Sequence, residues 1–155
     1  MLTLLGKHVR DTSGRAEAEP GIVDNEDIGR TMLGGFVART PLRADKGGMV
    51  GGFTISGDLP IRVLVRGVNA VRPPSAAVDP RIDVYRGNTL LHSNNDWDGS
   101  DYMANAFRMA DTTPLVPNGR DAALVATLMP GSYTVHLTSA DNTSGLVVLE
   151  VKALQ

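Results

Sequence analysis

Residues 120–154 constrain the fold of this chain more than any other stretch. Ala122–Leu128 is a short apolar run between Asn118-Gly119 and Pro130-Gly131. Tyr133, Val135 and Leu137 then alternate with Thr134, His136 and Thr138, the period of a strand with one buried face. Asp141, Asn142, Thr143, Ser144 and Gly145 make a turn, after which residues 146–151 run apolar again. Apolar segments of this length, punctuated by turn residues, are the pattern of an antiparallel β-sandwich. Such a scaffold needs no active site.

The same signals recur upstream. Residues 33–39 and Met49–Ser56 read as strands, separated by Pro41 and Gly47-Gly48. Residues 61–67 alternate Ile61, Val63 and Val65 against Arg62, Leu64 and Arg66. Residues 68–80 hold three prolines and read as a loop. Residues 81–86 and 89–93 flank Gly87-Asn88, a two-residue hairpin turn. Residues 100–110 form the one expected helix: Ser100 can cap it, and Tyr102, Met103, Ala106, Phe107 and Ala110 fall on helical spacing. Residues 111–119 read as a loop. With residues 132–139 and 145–151, the expectation is an all-β antiparallel sandwich of about eight strands, jelly-roll or immunoglobulin-like in layout, with one short helix. The 17 glycines and 9 prolines suit that many turns, and 5% aromatic residues imply a core of Val, Leu, Ile and Ala.

Residues 1–30 differ in character, so the expected organisation is an extended N-terminal arm over 1–30 and a sandwich domain over 31–155. The arm carries the acidic cluster Asp24-Asn25-Glu26-Asp27 and apolar points without a clear period: Leu2, Leu4, Leu5, Val9, Ile22, Val23 and Ile28. A segment this polar does not order alone. Those seven residues are the candidate assembly contacts, docked on a neighbouring subunit; the alternative is an arm folded back on its own domain.

Bulk properties narrow the partners. A net charge of −2 argues against nucleic acid. Arg39, Arg43, Lys46, Arg62, Arg66 and Arg72 tint the first half basic but are interspersed with glycines and apolar residues, as on a solvated face. No apolar stretch reaches the roughly 20 residues of a membrane span, so no membrane is expected. The absence of cysteine excludes disulfides and thiolate zinc sites. Met1 to Lys7 lacks a basic leader with a long apolar core, so no signal peptide is expected.

Few residues suggest chemistry. Asn94, Asp96, Asp98 and Gly99 match the first half of a calcium loop, with oxygen-bearing side chains on alternate residues and glycine at the bend, and Asp101 can add a ligand. The twelfth position is Asn105 rather than Glu, so the bidentate ligand is missing; the alternative is an Asx-rich turn leading into the helix. Calcium is therefore the one candidate cofactor. Trp97 suits a plug at the sandwich end or an exposed contact. His8, His92 and His136 are too scattered for zinc, with His136 expected to face solvent. Ser132, Ser139 and Ser144 have no nucleophile elbow around them. Gly51-Gly52 lacks a phosphate-loop context and marks a bulge or a close backbone approach in a strand. Asp83 and Asp121 lie near strand starts, where a carboxylate pair for acid–base work is conceivable, although Asp121 after Arg120 suits a turn or an ion pair.

Residues 49–154 also carry a set of segments in fixed order: Met49-Val50-Gly51-Gly52-Phe53-Thr54-Ile55-Ser56-Gly57, Ile61-Arg62-Val63-Leu64-Val65-Arg66-Gly67-Val68, Asp79-Pro80-Arg81-Ile82-Asp83-Val84-Tyr85, Ser93-Asn94-Asn95-Asp96-Trp97, Arg120-Asp121-Ala122-Ala123-Leu124, Pro130-Gly131-Ser132-Tyr133-Thr134-Val135 and Thr143-Ser144-Gly145-Leu146-Val147-Val148-Leu149-Glu150-Val151. This resembles an uncharacterised β-sandwich module repeated in large secreted bacterial surface proteins, similar in layout to bacterial pre-peptidase C-terminal domains. The resemblance implies a non-catalytic, extracellular, adhesive or structural module and supplies no catalytic residue. The arm and the start of the chain depart from that setting. They favour a structural subunit of a virion, such as a bacteriophage capsid decoration, collar or tail component. Such a subunit would be made in the cytoplasm, released by lysis and partnered by other protein subunits. The alternative is a secreted or surface-associated binding module, calcium-stabilised and carbohydrate-directed.

Overall fold

The computed structural model describes residues 32–33, 35–43, 45–70 and 78–154. The seven arm residues, His8, Arg72 and most of the expected proline-rich loop therefore lie outside the described residues.

Among the described residues nine strands and one helix follow in the order β1 (Met32–Leu33), β2 (Phe36–Leu42), β3 (Met49–Ser56), β4 (Ile61–Asn69), β5 (Pro80–Arg86), β6 (Thr89–Asn94), α1 (Asp101–Met109), β7 (Ala122–Leu128), β8 (Gly131–Ser139) and β9 (Gly145–Leu154). They form two antiparallel sheets: five strands ordered β1-β3-β8-β5-β6, and four ordered β2-β9-β4-β7. Among the described residues only β5 and β6 are both consecutive and hydrogen-bonded. Their hairpin turns at Gly87, whose φ of +57° is one that side-chain-bearing residues rarely adopt. The remaining connections cross between sheets. This is the expected β-sandwich.

Two boundaries differ from the sequence reading, and the first raises the strand count from eight to nine among the described residues. The single strand expected over 33–39 is two. β1 pairs with Ser56 and Ile55 of β3, whereas β2 pairs with β9 in the other sheet. The chain changes sheet between Leu33 and Phe36. Pro41 does not separate strands but sits inside β2, opposite Leu146. It is tolerated because, among the described residues, β2 is an edge strand with ladder bonds on one side.

The main core fills the space between the sheets with inward-facing residues: Val63 and Val65 of β4, Ile82 and Val84 of β5, Val135 and Leu137 of β8, and Val147, Leu149 and Val151 of β9. β4 departs from simple alternation, being buried on both faces from Val63 to Gly67. Its outward residue Leu64 belongs to a second apolar cluster with Trp97, Met103, Ala106, Phe107, Leu115, Ala123 and Leu154. Residues 97–115 thus cover the outer face of the four-stranded sheet. The helix owes its placement to Met103, Ala106 and Phe107 on one face. Lys152 closes its far end by donating from Nζ to the carbonyl of Ala110 at 3.2 Å.

Arg66 corrects the expectation of a solvated basic face. It is 3% exposed, points outward from β4 and is covered by the helical segment. Its guanidinium donates to Thr113 O at 2.9 Å, lies 5.1 Å from the centre of the Phe107 ring and brings Nε within 3.1 Å of Glu150 Oε2. The last contact joins opposite charges off the N–H axis rather than along a linear hydrogen bond. Arg62 is half-buried and donates to Tyr102 Oη at 3.1 Å. Arg39, Arg43 and Lys46 are exposed, as expected.

Candidate functional site

The segment expected to hold calcium is a polar turn in front of a helix. Asn94, at the end of β6, donates from Nδ2 to Asp96 O at 2.9 Å and accepts from Ala123 N–H at 3.0 Å. Its carbonyl oxygen therefore closes the gap between β6 and β7. Asp98 Oδ1 accepts from Ser100 N–H at 2.9 Å, and hydrogen bonds from Ser100 lower its pKa. Ser100 Oγ accepts from Met103 N–H at 3.2 Å, the expected N-cap, and Asp101 follows in the first turn, where a negative charge favours the helix. Asp96 remains at the surface with Asn95 Nδ2 3.4 Å from its Oδ2. Among the described residues no group of three or more His, Cys, Asp or Glu side chains converges as a metal site. The bonding is that of the alternative reading, an Asx-rich turn. Millimolar calcium or chelator is expected to leave the melting temperature unchanged within about 1 °C, whereas Ser100→Ala is expected to cost about 1 kcal/mol. A rise of several degrees with calcium, lost in Asp96→Ala, would favour the metal reading instead.

Near this turn, Asp79, which the sequence did not single out, is influenced by three charges. Burial raises its pKa first, Asp96 and Asp141 raise it further, and Arg120 opposes them. Arg120 does not pair with Asp121, its neighbour in sequence, but with Asp141, Nη1 to Oδ2 at 2.7 Å. Asp141 also accepts from the Thr143 hydroxyl and N–H and from Ser139 Oγ, and these bonds hold its carboxyl well below the usual carboxylate range. This end of the sandwich is a set of mutually bonded turns.

Asp83 and Asp121 do not form a catalytic pair. Asp121, buried just before β7, accepts from Asn69 N–H at 2.8 Å and from Asn69 Nδ2 at 3.1 Å. Asp83 belongs to the other sheet, where Arg81 Nε donates to both its oxygens at 3.2 Å and Ser93 Oγ to one at 2.5 Å. Trp97 is buried, not an exposed contact. It packs against Phe107 with ring centres 5.3 Å apart and donates from Nε1 to Val116 O at 2.8 Å.

The remaining candidate surface is the outer face of the five-stranded sheet. Pairing sets its side chains in rows. Val50, His136, Asp83 and Ser93 stand in one row, and Gly52, Thr134, Tyr85 and Leu90 in the next, with Thr54 and Ser132 beyond. The Tyr85 ring leans diagonally onto His136, with ring centres 4.6 Å apart and planes at 39°. His136 is half-buried against that ring rather than free in solvent. Thr54 Oγ1 and Ser132 Oγ lie 3.4 Å apart.

Gly51-Gly52 needs two explanations. The β3–β8 register runs without a shift, so there is no bulge. Gly51 faces inward, where a Cβ would lie 2.5 Å from the Phe36 ring, so packing requires a glycine there. Gly52 faces outward, and a Cβ there would meet only Tyr133 O at 3.8 Å. The sequence signal that could have found this face was present: outward Tyr85 and His136 on alternating strands beside a mid-strand glycine. Only the pairing shows them to be neighbours.

No protein-family model and no curated protein matches this chain. The resemblance to the repeated surface-protein module therefore rests on its sequence segments. Among solved structures, the chain is similar in fold to the pre-peptidase C-terminal domain of a collagenase from Bacillus anthracis, at 12% identity and a TM-score of 0.50 over 76% of this chain and 88% of that one.

Proposed function

We propose that the sandwich is a non-catalytic structural module that joins other protein chains through an open sheet edge. The observation that supports this is β6. Among the described residues it is an edge strand of the five-stranded sheet, every residue from Thr89 to Ser93 is exposed, and Leu90 and Leu91 are 47% and 38% exposed. It carries no Pro, Lys, Arg, Asp or Glu, the residues that usually discourage strand addition at an edge. In this reading residues 1–30 of a neighbouring subunit supply the added strand, and Leu2, Leu4 and Leu5 its apolar contacts. The setting that suits such an arm is a virion, as capsid decoration, collar or tail subunit.

The full chain is expected to self-associate at tens of micromolar by sedimentation velocity. A chain starting at residue 31 and the full-length Leu91→Lys variant are both expected to sediment as folded monomers. A monomeric full chain would end the arm-and-edge reading for copies of this protein.

A second reading is a secreted or surface-associated binding module. The sheet face around Gly52 favours it.

A further inference from the structure

The outer face of the five-stranded sheet has a feature that folding does not account for. A glycine in mid-strand costs stability by roughly 0.5–1 kcal/mol relative to alanine. Gly51 and Gly67 have a steric reason to be glycine, since a Cβ on either would lie within 3.0 Å of a packed side chain. Gly52 has none: it is exposed, is not among the residues with positive φ, and among the described residues a Cβ there would meet only Tyr133 O at 3.8 Å, an ordinary contact. A strand glycine without a packing role marks a place where something approaches the backbone.

The surroundings say what kind of molecule that is. Gly52 forms the floor of a shallow quadrant. Thr54, Ser132 and Thr134 border it with hydroxyls, and the Tyr85–His136 ring pair stands beside it. None of the three hydroxyl residues is charged, and the carboxylate in the adjoining row, Asp83, is held by Arg81 and Ser93. An uncharged patch with an aromatic ring at one side and hydroxyls at the other matches a ligand with an apolar face and many neutral hydroxyls. It does not match a phosphate or an acidic chain, for which the quadrant has no free cation among the described residues.

We propose that the Gly52 quadrant is a binding site for a neutral saccharide, one sugar ring resting over Gly52 with its C–H face toward Tyr85 and its hydroxyls toward Thr54, Ser132 and Thr134. This inference rests on the second reading above, a binding module, and is independent of the edge strand.

The test is native affinity electrophoresis of the full chain in gels containing dextran, xylan, laminarin or soluble starch, with an albumin gel as the protein probe. At least one polysaccharide is expected to retard the protein. Tyr85→Ala and Gly52→Val are each expected to weaken that retardation roughly tenfold, the loss of one aromatic contact or the filling of the floor. Gly52→Val is the decisive variant, because its side chain meets open space and its melting temperature is expected to hold or rise. Retardation in albumin but in none of the four polysaccharides would overturn the saccharide inference and leave the binding-module reading standing. Retardation in no gel would overturn both. A concentration-dependent dimer abolished by Gly52→Val would make the face an interface between copies, and the inference would again be wrong.

Discussion

Replacing Arg66 by alanine is expected to destabilise the domain by about 3 kcal/mol, the range for breaking a buried charge pair by removing one partner. In urea the midpoint should fall while the slope stays unchanged, since the surface exposed on unfolding is nearly the same. Three losses act together. Glu150, on the neighbouring strand directly opposite Arg66, keeps its charge under the helical segment with its partner gone. The carbonyl of Thr113 loses its donor, so the segment after the helix is no longer tied to β4. Phe107 loses the cation over its ring and gains a void beneath it. Arg66→Met separates charge from packing, because it keeps most of the stem. It should recover part of the loss, and Arg66→Met with Glu150→Met should recover more, since removing both charges leaves neither unpaired. A fall of less than about 1 kcal/mol for Arg66→Ala would mean that the segment over the four-stranded sheet is held by its apolar contacts alone.

Arg66 also shows where the sequence stopped being readable. The inward half of the sandwich was legible because it follows period two. Tyr133, Val135 and Leu137 point into the core as their alternation requires, and the Gly87-Asn88 turn joins the strands on either side of it. The outward half of β4 was not. Arg62, Leu64 and Arg66 looked like one solvated stripe, and only Leu64 disagreed. An arginine's charge says it needs partners, not that it needs water. When a neighbouring strand supplies Glu150 and a loop supplies a carbonyl, the face can be covered. The helix was recognisable from its cap and spacing, but which face it would seal depends on an apolar cluster that joins Phe107 and Leu64, more than forty residues apart.

The candidate site was less legible for a related reason. The loop from Asn94 to Asp101 drew attention because its polar residues are adjacent in sequence. The side-chain bonds of its polar residues are local, to Asp96 O and to Ser100 N–H, apart from the tie of Asn94 to Ala123. The Gly52, Tyr85 and His136 quadrant draws on three strands separated by up to 84 positions in the chain, and is assembled only by the order β3-β8-β5. A split between β1 and β2 was equally invisible, because a change of sheet at Gly35 leaves the apolar pattern on either side intact.

The close packing between the sheets sets the other large effect. Leu137→Ala is expected to cost about 3 kcal/mol, within the range for a fully buried leucine. Leu137 has no exposed surface and sits mid-sheet between Met49 and Ile82. Facing it from the opposite sheet is Gly67, where a Cβ would lie 2.7 Å from Leu137 Cδ1 and 3.1 Å from Ile82 Cγ2. Gly67→Ala alone is therefore expected to cost about 2 kcal/mol by overpacking. The leucine terminus that the new methyl strikes is removed in Leu137→Ala, and the methyl fills part of the resulting cavity. The double variant should consequently lose less than the sum of the single ones, by about 1–2 kcal/mol, the coupling expected of residues in direct contact. Urea midpoints of the four proteins close the cycle. Strict additivity would show that the sheets can move apart to admit the methyl, and that the spacing between the layers is not set at this pair.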